Sequence, residues 1–361
     1  MRKGVKGFRQ KILYYYIEMF RIIVSIALLS ASVSATLIDR FYSWAETHKI
    51  AIPEGEHELL RLLTNWKNND RIIDETNAKN LTYTLGHNAF SGMSSEEFAE
   101  HMHFGLNREI IASSSVPSAL RRGFDSAVSV PASVDWRTQG AVTYVHDQQQ
   151  CGSCWAFSTA GALEGIYAIK RGNLVSFSEQ QLVDCDYIRA GGTSLGCNGG
   201  DMQSAMEWIG KNNGLCNEES YPYVSGTTKT NGPCQKTCSV VSGSDISSTV
   251  SVSANSDNAM MTALAQQPVS VAIEADQSSF QLYKSGVFTG SCGTNLDHGV
   301  LLVGYGTMNG LDYYIMKNSW SSSWGSQGYM YMARGVDASG KPYNGGKGQC
   351  GVLMQGVYPV L

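Results

Sequence analysis

Gln148-Gln149-Gln150-Cys151-Gly152-Ser153-Cys154-Trp155-Ala156-Phe157 is the stretch from which the rest of the chain can be understood. At Cys154 a polar run gives way to an apolar, helix-forming series: Trp155, Ala156, Phe157, Ala160, Leu163, Ile166, Tyr167 and Ile169, ending at Arg171-Gly172-Asn173. This spacing predicts a helix with Cys154 at its positive N-terminal end. A thiolate there is favoured over the thiol, which lowers the pKa from about 8.5 toward neutrality. The expected chemistry is that of a nucleophile. A redox Cys151-x2-Cys154 pair, or half of a zinc site completed by Cys234-x3-Cys238, is the rival, and both normally come in tighter sequence contexts.

A thiol nucleophile needs a base, and past residue 130 the chain has two histidines, His146 and His298. His146 lies beside Asp147 in a polar segment and suits a solvated loop. His298 opens the apolar run Gly299-Val300-Leu301-Leu302-Val303-Gly304-Tyr305. Alone it would be a core histidine; beside the cysteine stretch it is the better candidate base. Asn318, in Lys317-Asn318-Ser319-Trp320, is suited to orient the imidazole, because an amide does so without adding negative charge.

The surrounding composition is that of a compact globular protein. The chain has 361 residues, 43% hydrophobic and 16% charged, long enough for two or three domains. A net charge of −4 with no basic run after the N-terminus gives no sign of nucleic acid binding. The nine cysteines, an odd count, all follow residue 150, which suggests disulfides with one thiol left over.

Arg2, Lys3, Lys6, Arg9, Lys11 and Arg21 precede the apolar run 22–29, and small residues follow to Ala35. This is the pattern of a secretory signal cleaved after Ala35. An uncleaved anchor is the alternative, but the apolar run is short for a bilayer span of about 20 residues. Leu59, Leu60, Leu62, Leu63, Trp66, Ile72 and Ile73 predict one long amphipathic helix. Asn80-Leu81-Thr82 is a glycosylation sequon, and the Ser- and Ala-rich stretch from Ala112 to Ser129 marks a linker. Farther on, helices are expected around 178–184 and 202–211, and strands at 269–275, 299–305, 313–316 and 329–332. A helical half and a β half imply a cleft between them.

The stretch CGSCWAF, residues 151–157, resembles the signature of papain-like cysteine proteases. Upstream, Glu58-x3-Leu62-x3-Trp66-x2-Asn69-x3-Ile73-x3-Asn77 resembles the inhibitory propeptide motif of cathepsin-L-like zymogens, with Leu62 where arginine is usual. Gly86-x-Asn88-x-Phe90-x-Gly92 resembles the second propeptide motif, with Gly92 in place of aspartate. The resemblance implies an α+β fold: a helical half and a β-barrel-like half flanking the active-site cleft, preceded by a mostly helical prodomain. The implied organisation is a signal peptide at 1–35, an inhibitory propeptide and linker at 36–129 with its core at 41–98, and a peptidase domain at 130–361.

The resemblance also implies roles. Cys154, His298 and Asn318 become the catalytic triad, and Gln148 the oxyanion-hole donor, which composition could not separate from Gln149 and Gln150. Gly199 and Gly200 would pair with an extended peptide. Asp201, Met202, Ala272, Leu296 and Gly299, with Gln355 at the base, would line the pocket for the second residue before the scissile bond, and Trp320 and Trp324 would flank the cleft. Asp201 and Gln355 suggest that a polar or basic residue is tolerated there beside hydrophobic ones. The implied disulfides are Cys151–Cys197, Cys185–Cys234 and Cys292–Cys350, with Cys216–Cys238 as an extra bridge.

Gln149 and Ser321 stand where the family usually has glycine, so both turns are expected to differ. The expected activity is that of a cysteine endopeptidase acting through a thioester, with no metal or organic cofactor. Its expected partners are protein or peptide substrates and its own propeptide, with no nucleic acid and no membrane span after signal cleavage. A monomer in the secretory pathway is expected, bound for a lysosome, a vacuole or the outside. A non-catalytic secreted binding protein on the same fold and an acyl transferase with the same triad are the alternatives; the complete triad and the propeptide favour the protease.

Overall fold

The computed structural model describes residues 36–102, 106 and 130–361. The secretory signal expected at 1–35 and the linker expected from Ala112 to Ser129 lie outside the described residues. By compactness the chain divides within one helix, into residues up to Trp66 and residues from Lys67 onward.

In the first unit, helix α1 covers residues 36–47 and α2 begins at Glu56. Phe41, Trp44, Ala45, Leu62 and Trp66 form their own buried cluster, with Phe41 edge-on to Trp66 at 5.6 Å. Of the apolar residues read along 59–73 in α2 (Glu56–Asn77), Leu62, Trp66 and Ile73 are buried and Leu59, Leu63 and Ile72 half-buried, while Leu60 faces outward.

In the second unit, the motif asparagines of α2 act on backbone. Asn69 Nδ2 donates to the carbonyls of Ser91 and Met93 at 2.9 and 2.8 Å. Asn77 exchanges both of its amide bonds with the backbone of Leu85. These bonds hold β1 (Tyr83–Leu85) and the loop that leads to α3 (Ser95–Met102). β1 then adds antiparallel to β5 (Tyr283–Phe288), and Asn88 Nδ2 donates to Gln281 O at 2.7 Å. The stretch from Lys67 to Met102 is therefore built into the same compact unit as the sheet, and the compact division falls inside α2 rather than near residue 129. Asn80 of the sequon is exposed just after α2, in the left-handed region at φ 49°.

The helical half holds α4 (Cys154–Arg171), α5 (Glu179–Cys185) and α6 (Met202–Lys211). Ser178 caps α5 by accepting from Gln181 N–H, a contact worth about 1 kcal/mol. α4 is buried all round from Cys154 to Tyr167. Added methyl groups at Gly161 and Gly165 would come 2.8 Å from Leu301 and 2.5 Å from Pro268, so glycine permits this close packing. Gly172, at φ 79°, ends α4 after Lys170 and Arg171, which complement the negative end of its dipole.

Among the described residues the β half is one nine-stranded sheet in the order β1-β5-β8-β7-β6-β4-β9-β3, with β2 (Val134–Asp135) on β6. Its remaining strands are β3 (Ser248–Ser251), β4 (Val269–Ile273), β6 (His298–Met308), β7 (Leu311–Lys317), β8 (Tyr329–Ala333) and β9 (Gly356–Val360). The path has two ends, so the expected barrel-like half is an open sheet. Pro359 is tolerated in β9 because only Gly356 and Val357 pair with β4, while Pro359 faces Thr249 of β3. Helix α7 (Asp257–Leu264) packs on β6. Four disulfides join Cys151–Cys197, Cys185–Cys234, Cys216–Cys238 and Cys292–Cys350, and Cys154 enters none of them. Among the described residues no helix is long and apolar enough to cross a membrane.

Candidate active site

The site forms where the first turn of α4 meets the start of β6. Cys154 is buried at the N-terminus of α4, where the helix dipole favours a thiolate. The Cys151–Cys197 disulfide anchors the loop before it, and Gly152 N–H donates to Cys197 O at 2.9 Å. His298 is the first residue of β6, registered opposite Ile273, and Gly299 opposite Ala272. A methyl group on Gly299 would lie 3.4 Å from the Cys154 carbonyl, so β6 runs directly against the nucleophile's backbone.

His298 is fully buried, and its Nε2–H donates to Asn318 Oδ1 at 2.8 Å. The same oxygen accepts Ser319 N–H at 2.8 Å, which fixes the amide's orientation. Nε2 is therefore committed to the amide. Trp320 stacks on the imidazole with centroids 4.8 Å apart and planes 26° apart. Burial pushes His298 down to about 4, only partly opposed by the Asn318 bond. With Phe98 and Phe90 edge-on to Trp320 at 5.2 and 5.9 Å, this is the pair in its covered state.

Among the three consecutive glutamines, Gln148 alone is wholly buried. Its Nε2 donates to Cys151 O at 3.1 Å, its Oε1 accepts Ser319 Oγ–H at 2.6 Å, and its N–H donates to Ser319 O at 2.9 Å. The amide is thus held against the loop that precedes Cys154 and against Ser319. Gln149 lies at φ 51° and Ser321 at φ 65°, so both glycine replacements keep the left-handed turn with a side chain in it.

The expected subsite residues also converge. Gly199 adopts φ 112°, and a methyl on Gly200 would meet the Trp155 ring at 2.5 Å, so this backbone can only be glycine. Leu106 of the prosegment bridges to Gly200, and its N–H donates to Asp297 O at 3.2 Å, so the cleft backbone already pairs with an extended residue. Ala272 N–H donates to Gln355 O at 3.1 Å, and Met202 sulfur lies 3.1 Å from where a Gly299 methyl would be. Leu296 packs at the edge of the same cluster. Asp201 caps α6 through Ser204 and accepts Gln355 Nε2–H at 2.9 Å. Trp324 packs on Trp320 and Phe280 in the neighbouring aromatic cluster.

His146 is not the solvated loop residue that its sequence context suggests. It is buried, with Nδ1 2.6 Å from Glu179 Oε1, in a cluster with Glu164 and Lys317. Charged residues inside apolar runs, Glu164 in α4 and Lys317 in β7, are the sequence signal that could have revealed it. Ser319 and Leu106 gave no such signal.

Residues 130–360 match the papain family cysteine protease model, and residues 41–98 match the cathepsin propeptide inhibitor domain. Probable cysteine protease RD21B of Arabidopsis thaliana is 46% identical over 82% of the chain, which spans 60% of that relative's length. Cysteine protease XCP2 of the same plant is 42% identical over 90% of the chain and 86% of its own length. The proform of the ragweed pollen allergen cysteine protease Amb a 11 superposes with a TM-score of 0.78 at 36% identity, covering 90% of this chain and 94% of that one. The chain belongs to the papain family of cysteine proteases and carries the cathepsin-type propeptide inhibitor domain.

Proposed function

We propose that this chain is an endopeptidase that cuts through a Cys154 thioester, with His298 as acid and base and Asn318 as the orienting amide. The observation that carries this is the His298 Nε2–H bond to Asn318, which commits that nitrogen to the amide on a ring whose strand packs against Cys154. The Cys154 thiolate attacks the peptide carbonyl carbon while His298 holds the thiol proton on Nδ1. The carbonyl oxygen becomes an oxyanion and accepts from Gln148 Nε2–H and the Cys154 backbone N–H. His298 passes its proton to the leaving amine as the carbon–nitrogen bond breaks, and a thioester remains. Water then attacks the thioester carbon and gives its proton to His298, releasing the acid and restoring the thiolate. All atoms in these steps come from enzyme, peptide and water.

The organisation proposed with it is a signal peptide at 1–35, an inhibitory propeptide and linker at 36–129 and a peptidase domain at 130–361. Its route is the secretory pathway, ending in a lysosome, a vacuole or outside the cell, and it works as a monomer on protein substrates. Leu106 then occupies the cleft as the propeptide's extended residue.

For the pocket that takes the second residue before the scissile bond, both Asp201 oxygens are engaged, by Ser204 and by Gln355. Gln355 Oε1 is buried without a hydrogen bond among the described residues. The pocket therefore offers an acceptor beside Met202, Ala272 and Leu296, and it takes a lysine or hydroxyl-bearing residue as well as apolar ones. A peptide library showing a strictly aliphatic or aromatic preference would contradict this.

The test of function is cleavage of a fluorogenic peptide with a hydrophobic residue at that position, after acid and after neutral incubation, with Cys154→Ala alongside. Turnover that needs Cys154 supports the endopeptidase. No turnover even after the chain is trimmed to Val130 leaves a binding protein as the better account.

A further inference from the structure

Among the described residues, His146, Glu179 and Glu218 form a group of metal-ligating side chains whose ligand atoms lie within 4.8 Å of one another. They belong to three separate segments: the loop before Gln148, helix α5 and the stretch after Cys216. His146 and Glu179 are each more than nine-tenths buried.

Two buried atoms here make no hydrogen bond among the described residues: His146 Nε2 and Glu179 Oε2. A buried polar atom without a partner costs about 1–3 kcal/mol, so each calls for an occupant. Nε2 points toward Glu218 Oε2, 3.8 Å away. Two donors about 2.0–2.2 Å from one zinc ion span that separation. The other ring nitrogen, Nδ1, is held 2.6 Å from Glu179 Oε1. A metal-bound histidine ordinarily donates its second N–H to a carboxylate in this way, fixing tautomer and ring orientation.

The charge balance also suits a dication. Glu164, Glu179 and Glu218 act on Lys317, which is buried and donates to Thr143 Oγ1 at 2.8 Å. Three carboxylates face one ammonium in this cluster. Access is from the Glu218 side, where Glu218 has a quarter of its side chain exposed and borders a surface groove with Leu174, Val175, Asn217 and Glu219. Tyr144 donates to Glu218 at 2.8 Å and stands over the imidazole at 4.1 Å, a rim that narrows the entrance. An imidazole with carboxylate ligands favours a borderline ion over magnesium or calcium, which prefer all-oxygen shells.

We propose that His146 Nε2 and Glu218 are the protein ligands of a divalent-cation site of the zinc class, with Glu179 as the positioning carboxylate and water completing the shell. Its place gives it a lever on the active site. His146 O accepts Ser321 N–H at 3.0 Å, and Gln148 two residues on pairs with Ser319, so a cation on His146 braces the crossing that carries the oxyanion donor.

The test uses the full chain as Cys154→Ala, which removes the catalytic thiol as a competing zinc ligand, titrated with zinc salt by calorimetry and by thermal shift. The parent should bind one zinc per chain at this site and melt at a higher temperature with it. Glu218→Gln and His146→Asn should each weaken that binding at least tenfold and abolish the shift, and Glu179→Gln should weaken it about 10–100-fold. Tyr144→Phe should bind as the parent does. If His146→Asn fails to fold, Glu218→Gln decides, since it is on the rim. Zinc binding unchanged in Glu218→Gln, or no zinc binding in the parent, overturns the proposal.

Discussion

Two buried histidines flank the same crossing loop, and their surroundings push them in opposite directions. His298 is held by an amide, and burial, only partly opposed by that bond, lowers its pKa to about 4. Burial would lower His146 too, but the Glu179 carboxylate against its Nδ1 carries it above the ordinary value. An amide orients His298 without adding charge, as the proposed acid and base requires, while a carboxylate holds His146. The sequence offered the same residue type at both places; the second partner decides which one is chemical.

This contrast predicts unequal losses. His298→Ala should reduce kcat/KM by about 10²–10⁴, the usual contribution of a general acid and base, with little change in the unfolding midpoint. His146→Gln should do the reverse: kinetics on the folded enzyme within about tenfold, and stability lower by about 3–5 kcal/mol, because Glu179 loses its partner in the interior. Denaturant unfolding and initial rates on the two variants check both halves. Gln148→Ala should lower kcat about 10²–10³-fold with KM nearly unchanged, since its amide acts on charge that develops in the transition state.

The depressed His298 value fixes the sign of a pH effect on the covered zymogen. Because the folded pKa lies below the unfolded 6.5, the stability is intact above 6.5 and falls as acid protonates the unfolded or uncovered form first. The loss develops between 6.5 and about 4 and amounts to about 3 kcal/mol. Comparing urea midpoints of Cys154→Ala with those of Cys154→Ala/His298→Gln at neutral and acid pH isolates it from the carboxylates, and the second protein should lose less. Acid should therefore weaken the folded chain at His298, although Gly92 stands where the motif usually has an aspartate. The smallest effect expected is at Gln149, held at φ 51°: Gln149→Gly should raise stability by about 0.5–1 kcal/mol in thermal melts.

The sequence was most legible where chemistry constrains residue type. Cys154 before an apolar run, His298 at a strand mouth and Asn318 before Trp320 are local patterns; the structure pairs His298 with Asn318 and runs β6 against the Cys154 backbone. Helices α2, α4 and α6 followed from their period. Strands such as β5, broken by Gly286 at φ 85°, and β9, which carries Pro359, lack the alternation that marks a strand, because their pairing is set by neighbours far along the chain. The burial of His146 was hidden for the same reason: its partner Glu179 is 33 residues away, and proximity in space has no trace in a polar loop. Leu106 in the cleft was equally silent, since its role depends on Gly200 and Asp297.

The most direct measurement is the rate at which Cys154 of the processed enzyme is alkylated by iodoacetamide as pH is varied, with and without His298→Ala. The account predicts a reactive thiolate well below the ordinary thiol pKa of about 8.5 in the wild type, and a rate profile that moves up toward that value without His298. A profile unchanged by His298→Ala would contradict the pairing of Cys154 with His298.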